Sequence, residues 1–574
     1  MSPTQAYPTI SLPHRGPPDH WSSFTAGIHR FLPLIAAIGL TISQPAAAQT
    51  TITFTDGETN AATYNTTGNN HTLTITSGSA TQSGIISGSG TVTKTGGGTL
   101  ALTAINTYSG TTTVSDGTLG ITNASNLGTG NIAINTGGTL TVSSDLSDSL
   151  GRTITVDGAG ATFTGEGYLW FNRASSTSTT IDVTNGGTLS AATSISLADS
   201  SSSTHTLTVS GTDSSVTAGT TLFVGYLGAA SVNIASGGTV TTGTLDLASQ
   251  SIGSATLNLN SGGTLAVSGG TNAIIAGAGS TAFNLGGGTL RVTDSNLTTS
   301  VGMTLVNATD SSIDTNGLNA ELSGIISGDG ALTKIGEGIL TLLASNLYTG
   351  GTTVEAGTLA TTNLANLGSG NITVSSGGHL TASGDLDFAT SRDLTVTGTG
   401  SSLAAGHIWF GTASGANNTV TVADGGSITT TTTFSLGDNG GTSGLSVTGA
   451  NSIVDATGNF YVGYASGGTA TVASGGTLAT DAQFSLGTSG GTGILNLNDG
   501  GTLQVGGTNG IAIGTGSGTF NFNGGTLQVA GSNLTSTVPM TLGDATTSTV
   551  NTNSFDATLS GALSGDGAIA KSGS

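Results

Sequence analysis

Apolar and polar residues alternate in short runs along most of this chain, and glycines cut the runs apart. Leu140-Thr141-Val142, Val232-Asn233-Ile234, Leu257-Asn258-Leu259 and Leu265-Ala266-Val267 all show period two. That period sends alternate side chains to opposite sides of an extended strand. The tetrad Gly-Gly-Thr-Leu, or a close variant, recurs at 137–140, 186–189, 237–240, 262–265 and 287–290, then at 377–380, 425–428, 475–478, 500–503 and 524–527. Neighbouring tetrads lie about 25 or 50 residues apart. Paired glycines accept positive φ, so the backbone turns a corner without Cβ strain. The threonine that follows is predicted to face outward and the leucine inward. No stretch holds a 3.6-residue apolar period, so helix content is expected near zero.

A longer period overlies the short one. Lys94, Gly96, Gly98, Leu100, Asn106, Tyr108 and Gly110 return as Lys334, Gly336, Gly338, Leu340, Asn346, Tyr348 and Gly350, an offset of 240 residues. A third copy opens at Leu559 and reaches Lys571. Leu169-Trp170-Phe171 matches Ile408-Trp409-Phe410, and Phe223-Val224-Gly225-Tyr226 matches Tyr461-Val462-Gly463-Tyr464. The division that follows is a leader at 1–48, an amino-terminal β cap at 49–82, super-repeats at 83–321 and 322–558, and the start of a third repeat at 559–574. The chain is expected to be a piece of a longer protein.

A unit of ~20–25 residues holds two or three short strands, too few to bury an apolar face alone. Stacked in register, each inward leucine gains a like neighbour above and below, and each backbone amide gains a partner. The fold class predicted is all-β, a right-handed parallel β-helix built of two super-repeats. At ~4.8 Å per coil it is a rod of roughly 100–125 Å. The return of motifs in phase argues against an antiparallel sandwich.

Composition narrows the function. The 574 residues include 9 Lys and Arg against 30 Asp and Glu, a net charge of -21, which repels phosphate backbones and excludes nucleic acid as a partner. The chain has no cysteine, so it has no disulfide staple and no thiolate metal site or nucleophile. Phe31–Ile42 has the length of a signal-peptide apolar region and is too short to span a bilayer. The small residues Ala46 and Ala48 suit signal peptidase, which places the cut between Ala48 and Gln49. Arg15, Arg30 and Asp19 leave with the leader, so 7 basic and 29 acidic residues remain.

The stretch beginning at Lys94, and its copy at Lys334, resembles the autotransporter-associated β-strand repeat, also called the passenger-associated transport repeat. The shared pattern is Lys-x-Gly-x-Gly-Thr-Leu, Asn-x-Tyr-x-Gly and Thr-x-Val-x-x-Gly-Thr-Leu. The second copy departs from it with Ile339 where the first has Thr99. The resemblance implies a type V secretion passenger, threaded through an outer-membrane β-barrel translocator in cis and folded outside as a β-helix. The absence of cysteine agrees with threading.

Candidate chemistry is sparse. Gly487-Thr488-Ser489-Gly490-Gly491 fits the nucleophile pattern G-x-S-x-G, but that pattern requires a helix after the serine. His71, His205, His379 and His407 are scattered, with no metal-ligand spacing. Asp329 and Asp566, each between glycines, fit turns better than calcium repeats. No catalytic residue, cofactor or metal site is expected. The recurrent lysines are assigned to salt bridges or turn donors, with a transport-related function as the alternative. Tyr108, Tyr348, Trp170 and Trp409 are expected to plug wide core layers, with carbohydrate stacking as the alternative for the tryptophans.

The function expected is a cell-surface stalk or adhesin-like passenger without catalysis in this segment. Its ligands would be host, matrix or neighbouring-cell surfaces. The alternative is a scaffold for a protease or lipase module outside the sequence in hand.

Overall fold

A computed structural model describes residues 48–171, 173, 177–506 and 510–574. Residues 49–574 form one compact unit. The apolar run Phe31–Ile42 lies outside the described residues.

The unit is a parallel β-solenoid of about 22 turns with three strands to a typical turn. One turn of the first super-repeat runs Thr153–Asp157, Thr162–Gly165 and Leu169–Phe171, and each strand pairs in parallel with its counterpart one turn later. These define a first, second and third face. Two short 3-10 turns, Ala124–Asn126 and Leu364–Leu367, are the helical elements among the described residues.

Strand alternation sets the interior. The Gly138–Val142 strand buries Leu140 and Val142 completely and leaves Thr139 half-exposed. Stacked rungs repeat this, so Leu100, Leu119, Leu140, Phe163 and Leu189 form one inward column. The glycine corners behave as their sequence requires. Gly186, Gly237 and Gly425 hold φ near +90°, and a Cβ on the glycine after each would meet the backbone carbonyl of the rung below at 2.2–2.4 Å. Corners this tight let rungs stack at sheet spacing.

The super-repeat does not close on a whole number of turns. From Lys94 the first-face column climbs through Val114, Ile134, Val156, Val183, Val209, Ile234, Leu259, Leu285 and Leu305 to Gly328, ten rungs in all. Lys334 lies one strand further on, in Ala331–Ile335, on the second face. A further ten rungs lead from Lys334 to Gly565, and Lys571 again lies one strand beyond. Each super-repeat is therefore ten turns plus one face.

This offset joins unlike motifs into one surface feature. On the second face the outward column from Ser79 through Thr99, Thr139, Thr188 and Thr289 continues through Ser312 into Thr333, Thr353 and Thr395 and on to Thr471. Every member is serine or threonine. The first half comes from the Gly-Gly-Thr-Leu tetrads and the second half from Thr-x-Val strands.

Candidate functional site

The repeat motif is a set of corner fasteners. Lys94 shares inward parity with Val92 and is 1% exposed. Its Nζ donates to the carbonyls of Thr95 (3.1 Å), Gly96 (2.6 Å) and Asp116 (3.0 Å). Lys334 repeats the arrangement with Ile335 (3.0 Å), Gly336 (2.5 Å) and Ala356 (3.1 Å). The ammonium thus replaces amide donors that a turning backbone cannot supply. Of the two roles assigned from sequence, turn donor is the one the geometry bears out. Burial lowers both lysines to about 8, opposed by Asp116 for Lys94 and by Asp314 and Glu337 for Lys334. At neutral pH both remain charged. Lys571, on the last strand, is exposed and donates to the carbonyl of Gly573 at 2.5 Å.

Asn106 and Tyr108 fasten a segment that leaves the sheet. The Asn106 side chain accepts from the Ile86 amide (2.7 Å) and donates to the Asn126 carbonyl (2.5 Å), bridging three rungs. Asn346 does the same between Ile326 and Asn366. Tyr108 and Tyr348 are fully buried, each with its hydroxyl 2.6 Å from a threonine, Thr112 or Thr352. As expected, the tyrosines plug the core. Leu100 and Leu340 are inward and fully buried. A Cβ at Gly110 or Gly350 would lie 2.2–2.3 Å from a carbonyl of the rung below.

Sequence reasoning missed one recurrent pair. Arg152 and Arg392, again 240 apart, are both buried. Arg152 pairs with Asp148 (Nε to carboxylate, 2.9 Å) and donates to the carbonyls of Gly128 (3.1 Å) and Gly130 (3.2 Å). Arg392 donates to Gly368 (3.2 Å) and Leu367 (3.4 Å), but Phe388 stands where the first copy has Asp148, its ring 5.9 Å from the guanidinium. Burial lowers Arg392 to about 10. Parity carried the signal: Arg152 lies two residues before inward Ile154. Four of the seven basic residues beyond Ala48 are therefore buried fasteners, and Arg173, Arg291 and Lys571 are the exposed ones.

The tryptophans do not plug the core. In Leu169-Trp170-Phe171 and Ile408-Trp409-Phe410 the flanking residues point inward, so alternation sends each indole outward, half-exposed. Trp170 stacks on Tyr168 (4.7 Å, 5° between planes) with the Arg173 guanidinium 4.5 Å from its ring. Trp409 stacks on His407 (4.8 Å, 23°). The wide layers of the second super-repeat are filled instead by a phenylalanine stack, Phe388, Phe410, Phe434, Phe460 and Phe484, with centroids 4.3–5.6 Å apart.

The remaining candidates do not assemble. His71 and His205 are buried, while His379 is exposed with Nδ1 2.7 Å from Ser402. Among the described residues no group of three metal-ligating side chains occurs. Ser489 lies in a turn between the strands Phe484–Leu486 and Thr492–Asn498, where a nucleophile elbow needs a helix. Asp329 accepts from the Ala308 amide at 3.2 Å, as a turn residue does.

The fastened segments coincide with a known family. Residues 92–121 and 332–360 each match the passenger-associated-transport-repeat. The chain carries autotransporter passenger repeats. Over 144 residues, a quarter of its length, it is 34% identical to the adhesin BmaC autotransporter of Brucella suis biovar 1 (strain 1330). The matched region spans only 4% of that relative's length. A crystal structure of a TibC-catalyzed hyper-glycosylated TibA fragment aligns with 81% of this chain and 97% of the fragment. At 15% identity and a TM-score of 0.14, that alignment carries no weight. The chain is thus a parallel β-solenoid that carries two passenger-associated transport repeats.

Proposed function

We propose that this passenger is an adhesive stalk that holds an extended, hydroxyl-rich surface away from the cell and performs no catalysis in this segment. The observation that carries the reading is the unbroken serine and threonine column on the second face, together with the burial of most cations. Such a surface offers many weak, uncharged contacts along a rod of ~100 Å, at ~4.8 Å per turn. Its partners are ligands on host, matrix or neighbouring-cell surfaces.

Signal peptidase cuts between Ala48 and Gln49, a reading supported by the compact unit starting at Gln49. An outer-membrane β-barrel acting in cis threads the chain outward. Residues 49–82 begin the solenoid and serve as its amino-terminal cap. The test is full-length expression in a Gram-negative host. Added protease should shave the repeats from intact cells, and displaying cells should attach to matrix-coated surfaces or to each other. Repeats protected in the periplasm, or displayed repeats without attachment, would overturn the reading.

A further inference from the structure

We propose that the outer platform around Trp409 binds a neutral, flat polysaccharide, one built of equatorially linked pyranose rings. An outward column in the second super-repeat runs Asp387, Trp409, Ser435, Tyr461 on successive rungs. Trp409 and Tyr461 stand two rungs apart and so ~9.6 Å from each other, the reach of two pyranose rings laid end to end. Ser435 between them is fully buried, its hydroxyl held by Asp438.

Each ring is held by a neighbour. Trp409 stacks on His407, and Tyr461 meets Tyr464 edge-on at 5.1 Å with its hydroxyl 2.8 Å from Asn459 Nδ2. Prefixed rings lose little entropy on binding. Carboxylates flank the platform: Asp387 accepts from Thr412, and Asp438 accepts from Ser435 at 2.9 Å. Aromatic faces that meet C–H-rich sugar faces, with carboxylates as acceptors for hydroxyls, suit a neutral glycan. The acidic surroundings exclude sulfated or phosphorylated ones.

The first super-repeat supplies an internal contrast. Trp170, Ser196, Asp199, Phe223 and Tyr226 repeat the constellation, with Ser196 donating to Asp199 and Phe223 edge-on to Tyr226 at 5.7 Å. There the Tyr168 ring and the Arg173 guanidinium both lie against the indole, at 4.7 and 4.5 Å. Among the described residues the Trp409 ring has one ring neighbour, His407, and no cation over it. Trp170 thus carries a cation that competes for its ring, and among the described residues Trp409 does not.

This inference rests on the adhesive reading for its biological use, and binding to purified polysaccharide tests it apart from surface display. The purified full chain is run in affinity gels containing hydroxyethyl cellulose, glycol chitin or heparin, and titrated with cellohexaose and chitohexaose by tryptophan fluorescence. Retardation by a neutral polymer is expected, with at least tenfold weaker binding for Trp409→Ala and Tyr461→Ala and unchanged binding for Trp170→Ala. Arg173→Ser should add a second site. Circular dichroism and thermal midpoints equal to the parent's confirm that the outward substitutions leave the fold intact. Retention by heparin alone, no retention by any neutral polymer, or equal loss in Trp170→Ala and Trp409→Ala would sink the proposal. Cell attachment that persists in Trp409→Ala would leave the adhesive reading standing without this ligand.

Discussion

Lys94 and Lys334 occupy the same position of a repeat 240 residues long, yet they lie on adjacent faces of the solenoid. Each holds three corner carbonyls with one buried ammonium. Replacing either by methionine keeps the aliphatic volume and removes the donors. A loss of about 2–3 kcal/mol is expected for each, the cost of leaving buried carbonyls unpaired. The two changes should add, because the sites share no partner. Urea unfolding of the single and double variants checks both points, and a double variant no weaker than a single one would contradict independent fasteners.

His205 makes stability depend on acidity. It is 3% exposed, neither ring nitrogen has a hydrogen-bond partner, and burial lowers it to about 4 from 6.5. The unfolded chain therefore binds a proton that the folded chain refuses. Stability falls as pH drops from about 6.5 towards 4, by up to about 3 kcal/mol from this group. Thermal midpoints across that range should fall less steeply in His205→Leu. Identical slopes would assign the acid sensitivity elsewhere.

The phenylalanine stack carries the second super-repeat's packing. Phe434 and Phe460 are fully buried with centroids 4.7 Å apart. Truncation of either to alanine should cost about 3–5 kcal/mol, and leucine at either position clearly less. The first super-repeat already uses Ile195 and Leu222 at the matching places. Denaturant midpoints decide, and equal loss for alanine and leucine would show that shape matters more than volume.

Asp148 and Phe388 are two solutions to one buried arginine. Removing Asp148 as Asp148→Ala should cost about 3–5 kcal/mol, because the Arg152 guanidinium loses its counter-charge. Asp148→Phe, which copies the second super-repeat, should cost less than the alanine variant. Thermal midpoints of the two variants provide the comparison.

Much of this architecture was legible in the chain itself. Glycine pairs marked corners, and period two assigned sides to Leu140, Thr139 and their counterparts. The same parity also marks Lys94 and Arg152 as inward and Trp170 and Trp409 as outward, but sequence reasoning passed over the arginine and placed the indoles in the core. Residue type pulled the other way for the tryptophans, since a large aromatic suggests core while its neighbours Leu169 and Phe171 already filled the inward positions. The different surroundings of Trp170 and Trp409 were not legible. They differ through Arg173, whose guanidinium lies 4.5 Å from the Trp170 ring.

The sequence alone determined strand, corner, inside and outside, because each follows from residues adjacent along the backbone. Only the tertiary structure decided which face each motif occupies. Successive rungs differ in length, from 19 residues between Leu100 and Leu119 to 27 between Leu189 and Val216. Their sum over 240 residues is ten turns and one face rather than a whole number. A column such as Ser312 on Thr333 joins residues that share no motif, and it exists because neighbours across a solenoid are set by accumulated turn length.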